Sequence, residues 1–180
     1  MGAQAVGLSM GRKIALGAGD FGFNLYWQMA SLYLLFFYTD VLGLTPAVAG
    51  TLYMAALIWD AALDPLIGAV ADRTRTRWGR YRPYLLFGGA PLALAFAAMF
   101  AGPAGSGAVA LTAAIHVLFR TLYASISIPY ASLFARVTRD ARLRADLAGI
   151  RMVFAALAAV TIAVLTLPLV KALALPDDPR

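Results

Sequence analysis

The sequence contains no cysteine and no glutamate, and His116 is the only histidine among its 180 residues. Without cysteine the chain cannot form disulfides, thiol nucleophiles or thiolate metal sites. With one histidine and no glutamate it cannot assemble a His/Glu metal cluster. A nucleophile–base pair and a phosphate-binding glycine loop are also lacking. We therefore expect neither enzymatic activity nor a cofactor.

Charged residues are scarce, at 13% of the chain, whereas hydrophobic residues make up 62%. Soluble domains average about 25% charged and about 45–50% apolar residues. The mean hydropathy is +0.76, and long apolar runs recur throughout the sequence. This composition indicates an integral membrane protein whose partner is the lipid bilayer.

Five segments are long and apolar enough to cross a bilayer as helices, which requires about 20 residues each. They predict an all-α, polytopic membrane helix bundle that occupies the whole of residues 1–180. The predicted spans cover residues 14–38, 47–71, 84–100, 108–134 and 147–170.

Most basic residues lie in alternate connections. Arg12 and Lys13 precede the first span, loop 72–83 carries five arginines and loop 135–146 carries four. Cytoplasmic loops retain Lys and Arg. We therefore predict a multi-pass protein of the cell inner membrane, with the N terminus cytoplasmic and the tail ALPDDPR outside. The same placement explains the net charge of +6 without nucleic-acid binding.

The arginines of loop 72–83 have two interpretations. They either set topology alone or form a cytoplasmic clamp, in which Asp72 and Arg73 would be the local ion pair. The sequence does not decide between them.

Asp60 and Asp64 lie within the second predicted span, although a charge at the bilayer centre costs about 2.5–3.5 kcal/mol. Four residues apart, they share one face of a helix. Two such carboxylates favour a bound Na⁺ or H⁺ between them. Pro65 removes a backbone hydrogen bond and can free the carbonyl of Ala61 as another oxygen ligand. Alternatively, these aspartates face cytoplasmic water near the helix end.

Arg120 lies equally deep. Asp60 is roughly 21 Å from Pro46, and Arg120 is roughly 19 Å into the fourth span from the same side. An ion pair between the two would keep the arginine in the membrane. A fixed structural salt bridge and a role in coupling explain it equally well.

Polar stripes on the first and fourth spans suggest a shared wet cavity and candidate substrate-binding residues. Asp20 and Asn24 belong to the first stripe, and Arg120, Tyr123 and Ser127 form the second. The alternative is that these side chains form interhelical hydrogen bonds, each worth about 0.6 kcal/mol. Asp20 lies near the cytoplasmic end, where a solvated carboxylate is an equally good interpretation. We interpret His116 as a packing residue with its polar atoms satisfied.

Four runs together resemble the glycoside–pentoside–hexuronide:cation symporter family, which includes the melibiose permease and belongs to the major facilitator superfamily. They are KIALGAGDFG, YLLFFYTDVLGL, IWDAALDPLIGAVADRTRTRWGRYRPYLL and YASISIPYASL. The resemblance covers nearly the whole chain. It implies the N-terminal six-helix half of a twelve-helix transporter that works by alternating access.

The resemblance implies roles for individual residues. Asp60 and Asp64 match the family's cation-site aspartates, a metal site if Na⁺ is the coupling ion. Tyr123 matches a nearby tyrosine, and Arg151 matches an arginine that borders the sugar pocket.

Other positions depart from the melibiose permease. Asn24 and Ser127 stand where it has galactosyl-binding aspartates, which argues against galactosides. Arg120 replaces a glycine. Leucine or alanine replaces three further permease side chains, an asparagine, a tryptophan and an arginine, at Leu63, Ala131 and Leu57.

We therefore expect a segment of a secondary active transporter that couples Na⁺ or H⁺ to the symport of a sugar or related small solute. Five helices are fewer than twelve, so we expect a truncated chain that needs the missing C-terminal half or a second chain. The alternative is a non-transporting truncated membrane protein or a helix-bundle assembly partner.

Overall fold

A computed structural model describes residues 9–102, 109–137 and 140–173, and these are almost entirely helical. A π-helical turn, Phe37–Val41, extends the first helix, and the described ranges contain no strand. The all-α prediction is therefore confirmed. The five α-helices are α1 (Met10–Phe36), α2 (Pro46–Arg73), α3 (Arg82–Phe100), α4 (Val109–Val137) and α5 (Ala141–Leu173).

The predicted spans and the helices agree closely. The largest difference is at α5, which begins at residue 141 rather than 147. Its first turns are polar, so the apolar pattern does not mark them, although arginine, alanine and leucine are strong helix formers. Residue 108 and the tail 174–180 lie outside the described residues.

Local sequence signals explain where the helices begin. Pro46 occupies the first turn of α2, and the Thr45 hydroxyl accepts a hydrogen bond from the backbone N–H of Val48 at 3.4 Å. Pro83 lies in the first turn of α3. Gly43 and Gly79 have φ values of +70° and +95° in the connections before α2 and α3, a conformation that favours glycine.

Four helices, α2 to α5, are long and apolar enough to cross a membrane by length and composition. Helix α1 has 27 residues but is not among them. It carries Arg12, Lys13 and Asp20 as well as the polar Asn24 and Gln28, which lower its hydropathy. The first span therefore remains a prediction.

The chain divides into two units, with the boundary inside α1. The terminal unit comprises residues 1–31 and 138–180, and the central unit comprises residues 32–137. In the terminal unit α1 and α5 approach closely at Gly17. A Cβ atom there would lie 2.6 Å from Cγ2 of Ile150 and 3.2 Å from the Phe154 ring.

In the central unit, α4 packs against both α2 and α3. Gly88 of α3 faces Ile126 of α4 so closely that a Cβ atom would lie 2.5 Å from Cγ1 of the isoleucine. Small residues let the helix backbones come together, as is common in membrane bundles. The buried apolar side chains of this unit include Ala49, Ala56, Leu92, Ala95, Met99, Phe119, Ala124 and Ile126.

Candidate functional site

An ion pair between α2 and α4 lies at the centre of the candidate site. Nη1 of Arg120 donates a hydrogen bond to Oδ2 of Asp60 at 3.1 Å. The Arg120 side chain is 4% exposed and the Asp60 side chain 18% exposed. The structure thus brings together the two charges that the depth argument placed at the same level.

Further contacts around this pair join the same two helices. Nε1 of Trp59 donates to Oγ1 of Thr121 at 3.0 Å, and these residues adjoin Asp60 and Arg120 in sequence. The Arg120 guanidinium carbon lies 6.0 Å from the centroid of the Tyr53 ring, in a cation–π contact. These contacts join α2 to α4 beside the ion pair.

Asp64 lies one helical turn beyond Asp60 in α2, which continues through Pro65 to Arg73. Its side chain is exposed. In the described ranges the Asp64 carboxylate forms no ion pair or hydrogen bond. The structure therefore distinguishes two carboxylates that the sequence presents as equivalent: Asp60 is engaged by Arg120, whereas Asp64 is accessible.

Two further candidates lie along α4. Tyr123 is half-buried, and its ring packs against that of Phe119 with 6.0 Å between centroids. Ser127 is also half-buried. Both belong to the central unit, as do Asp60 and Arg120.

A second, partly buried ion pair lies in the terminal unit, between α1 and α5. The Arg151 guanidinium binds both carboxylate oxygens of Asp20, from Nε to Oδ2 at 2.7 Å and from Nη2 to Oδ1 at 2.9 Å. The Asp20 side chain is 9% exposed. Asp20 is therefore not solvated, contrary to one of the two interpretations of its position.

Asn24 completes this cluster, because its Nδ2 donates to the backbone carbonyl of Asp20 at 2.8 Å. Sequence reasoning named Asp20, Asn24 and Arg151 as separate substrate contacts and missed the pairing. One signal was available: Arg151 is the only basic residue within the predicted span 147–170, so a buried aspartate on a neighbouring helix was its natural partner.

His116 is buried between two tyrosine rings. Its ring centroid lies 5.9 Å from that of Tyr38 and 5.7 Å from that of Tyr53. The described part of the chain offers no hydrogen-bond partner to Nδ1 of His116 or to the hydroxyl of Tyr38. The packing interpretation of His116 is confirmed, but the expectation that its polar atoms are satisfied is wrong for Nδ1.

Asp72, at the end of α2, gathers several partners. The Tyr81 hydroxyl donates to its Oδ1 at 2.8 Å, and Nη2 of Arg136 does so at 3.2 Å. Nη1 of Arg80 lies 3.6 Å from the same oxygen. The expected local pair of Asp72 with Arg73 is wrong. Instead of Arg73, the partners of Asp72 are Arg80 of the α2–α3 loop and Arg136 at the end of α4.

Asp60 and Asp64 supply hard carboxylate oxygens, the donor type that Na⁺ prefers. Within residues 9–102, 109–137 and 140–173 there is no group of three or more His, Cys, Asp or Glu side chains that could hold a metal ion. Asp60 and Asp64 are thus the acidic side chains that this described region can offer a monovalent cation.

Comparison with known proteins yields similar transporters. The chain is 40% identical over 158 residues to the uncharacterized symporter YnaJ of Bacillus subtilis, covering 87% of this chain and 34% of that protein. It is 36% identical over 165 residues to the inner membrane symporter YicJ of Escherichia coli, covering 91% and 36%. It is also 36% identical over 160 residues to the isoprimeverose transporter of Lactiplantibacillus pentosus, covering 88% and 33%.

The chain therefore spans about a third of the length of these curated relatives. Its residues 15–179 match the family described as MFS/sugar transport protein. This is a family of transporters, which confirms the prediction that the chain is not an enzyme. With its apolar helices and this match along nearly its whole length, the chain is a multi-pass membrane protein that belongs to the MFS/sugar transport protein family.

Proposed function

We propose that this chain forms the cation-responsive part of a secondary active transporter, which couples the entry of Na⁺ or H⁺ to the symport of a sugar or related small solute by alternating access. The observation that carries the proposal is the pair of carboxylates in α2. Asp60 is bound to Arg120 of α4, and Asp64 lies one turn away and is accessible.

Such an arrangement can respond to a cation. Two carboxylates and one guanidinium leave one negative charge, which a single monovalent cation neutralises. Neutralisation changes how strongly α2 is held to α4, since a buried ion pair is sensitive to every nearby charge. Binding of the coupling ion would in this way bias the helix arrangement, as alternating access requires. Tyr123, three residues from Arg120, is the proposed third member of the cation site.

The proposed solute site involves the terminal unit. Arg151 offers a guanidinium, and Asp20 and Asn24 lie beside it. Ser127, in the central unit, is a separate candidate for a solute contact. These groups suit a solute with several hydroxyls, and the name of the Lactiplantibacillus relative, isoprimeverose transporter, supports a glycoside.

The proposed topology places the N terminus in the cytoplasm and the tail 174–180 outside. The Asp72 cluster supports it, because it joins the end of α2, the start of α3 and the end of α4. These are the ends next to the arginine-rich loops, and loops of that kind are retained in the cytoplasm. A C-terminal half or a second chain would supply the remaining helices.

A second candidate is a non-transporting membrane protein or helix-bundle assembly partner. The paired state of Asp60 favours it, because a fixed salt bridge needs no transported ion. The two candidates differ in whether Asp60 matters for solute movement or only for stability.

Joining residues 1–180 to the part of the isoprimeverose transporter beyond the aligned region tests the proposal. In membrane vesicles the chimera should accumulate isoprimeverose when a cation gradient is imposed. Asp60→Asn should abolish accumulation, whereas Asp40→Asn, at an exposed position outside the site, should not. Accumulation that persists in a folded Asp60→Asn chimera would refute the cation role. A folded parent chimera that accumulates no isoprimeverose would favour the non-transporting alternative.

A further inference from the structure

Arg120 already holds the place that a metal cation would take at Asp60. Its Nη1 donates to Oδ2 at 3.1 Å, and the guanidinium is among the most deeply buried charged groups that the structure describes. An arginine side chain stays protonated under all physiological conditions. The positive charge at Asp60 is therefore permanent and belongs to the protein.

We infer that Arg120 is a tethered cation that takes the place of Na⁺ at Asp60 and excludes Na⁺ from the carboxylate pair. The inference rests on the proposed transport function and narrows the coupling ion from Na⁺ or H⁺ to H⁺.

Electrostatics supports this exclusion. Na⁺ shared between Asp60 and Asp64 would lie within a few ångströms of the Arg120 guanidinium. At about 5 Å and an effective dielectric constant of about 20, repulsion between two unit charges lowers affinity on the order of a hundredfold. H⁺ is not subject to this constraint, because it is attached to a single oxygen and needs no position between two carboxylates.

The ligands support it as well. Na⁺ takes several oxygen donors, and the region lacks a third acidic side chain beside Asp60 and Asp64 among the residues that the structure describes. Oδ2 of Asp60 is engaged by Arg120. The carboxylate oxygens left for Na⁺ are thus Oδ1 of Asp60 and those of the exposed Asp64. The remaining ligands would have to come from the proposed Tyr123 hydroxyl and backbone carbonyls.

The guanidinium is also unable to move away easily. The Tyr53 ring lies 6.0 Å from its central carbon, and the Trp59–Thr121 hydrogen bond joins α2 to α4 beside it. Unlike a dissolved ion, the charge cannot diffuse away when the site opens. Charge removal by mutation is therefore the direct way to test its role.

Trp59 provides a local reporter that is independent of transport. The 180-residue chain carries only two other tryptophans, Trp27 and Trp78. With Trp27→Phe and Trp78→Phe, the remaining fluorescence comes from Trp59, next to Asp60. The purified chain in lipid nanodiscs is titrated with NaCl against choline chloride at constant ionic strength.

The parent should show no Na⁺-specific change in Trp59 fluorescence. Arg120→Gln should gain a saturable change, with a Na⁺ affinity on the order of a hundredfold higher than that of the parent. Arg120→Lys should remain silent because it keeps the charge. Asp60→Asn should abolish the response gained by Arg120→Gln.

Arg136→Gln is the matched control, because it removes an arginine from the same helix, 16 residues and about 24 Å away. Like the parent, it should show no Na⁺-specific change in Trp59 fluorescence. Arg120→Met is a second neutral variant in case Arg120→Gln does not fold. Saturable Na⁺ binding by the parent overturns the inference. The absence of a Na⁺-specific fluorescence change in folded Arg120→Gln or Arg120→Met also overturns it.

These outcomes are separable from the proposed function. The nanodisc titration measures ion binding without solute movement, so an inactive chimera would refute transport while leaving the Trp59 result to stand on its own. Conversely, an active chimera whose parent site binds Na⁺ would retain the proposed function and refute the role of Arg120.

Discussion

Arg120 of α4 is bound to Asp60 of α2 at 3.1 Å, in the interior of the central unit and 60 residues apart in sequence. The pair neutralises two charges that neither the bilayer nor the helix core would accept singly. It also leaves Asp64 as the accessible carboxylate of the two. This difference in exposure between Asp60 and Asp64 is the basis of the proposed function.

Breaking the Asp60–Arg120 pair at one side should be costly. Asp60→Asn or Arg120→Gln removes the ion-pair partner of a buried charge, and we expect a loss of about 3–5 kcal/mol in the free energy of unfolding. The double variant should recover a large part of that loss. Thermal or denaturant unfolding of the purified chain in detergent measures this cycle.

The exposed Asp72–Arg136 pair is the matched control, because its distance of 3.2 Å is almost the same. Solvent screens it, so the corresponding Asn and Gln variants should change the free energy of unfolding by no more than about 1 kcal/mol. Equal losses for the two pairs would contradict the assignment of Asp60 and Arg120 to a low-dielectric environment.

Arg151→Lys should weaken the terminal unit although it preserves the charge. The guanidinium binds both oxygens of Asp20, and an ammonium group cannot reproduce this fork. We expect a loss of about 1–3 kcal/mol in unfolding free energy, in the range of a charge-assisted hydrogen bond.

Lys13→Arg provides the reverse exchange on the same two helices. Lys13 makes a single 2.7 Å contact to the exposed Asp146, so its replacement should be nearly neutral. A folded Arg151→Lys variant as stable as Lys13→Arg would show that the second bond to Asp20 has no energetic weight.

Two adjacent glycines of α3 should respond differently to alanine. Gly88→Ala places a Cβ atom 2.5 Å from Cγ1 of Ile126, whereas a Cβ atom at Gly89 meets nothing within 4 Å. Both gain the same helix propensity. Gly88→Ala should therefore be less stable than Gly89→Ala by about 1–3 kcal/mol, the usual range for overpacking.

Melting temperatures of the two glycine variants in the same detergent measure this difference directly. Equal melting temperatures would mean that α3 and α4 do not approach as closely at Gly88 as the structure indicates.

His116→Phe should leave stability unchanged or raise it by about 1–3 kcal/mol, because it keeps a ring between Tyr38 and Tyr53 and removes a buried nitrogen without a partner. Thr121→Val is the opposite case. Its hydroxyl accepts from Trp59 and donates to the Val117 carbonyl, so its loss should cost about 1 kcal/mol. Chemical unfolding compares them, and a clear loss in His116→Phe would show that Nδ1 is bound in solution.

The sequence predicts the helices well, because a bilayer demands apolar runs of fixed length and penalises any exposed backbone polar group. It also predicts the meeting of Asp60 and Arg120, since buried charges must pair and both lie at one depth. This prediction requires only that α2 and α4 are neighbours.

The Asp20–Arg151 pair was missed for a physical reason. Periodicity shows which face of α1 is polar, but it does not show that α5, 131 residues later, lies against that face. The unequal exposure of Asp60 and Asp64 was also beyond the sequence. A spacing of four residues places two side chains on one face, and only the packing of α4 decides which one is covered.

The choice of coupling ion provides the most direct test of the central claim that Arg120 excludes Na⁺ from the pair formed by Asp60 and Asp64. Isoprimeverose accumulation by the chimera is measured under an inward H⁺ gradient and, separately, under an inward Na⁺ gradient. The account predicts accumulation with the H⁺ gradient alone and its loss in Asp64→Asn. Accumulation driven by the Na⁺ gradient, or undiminished H⁺-driven accumulation in Asp64→Asn, would contradict it.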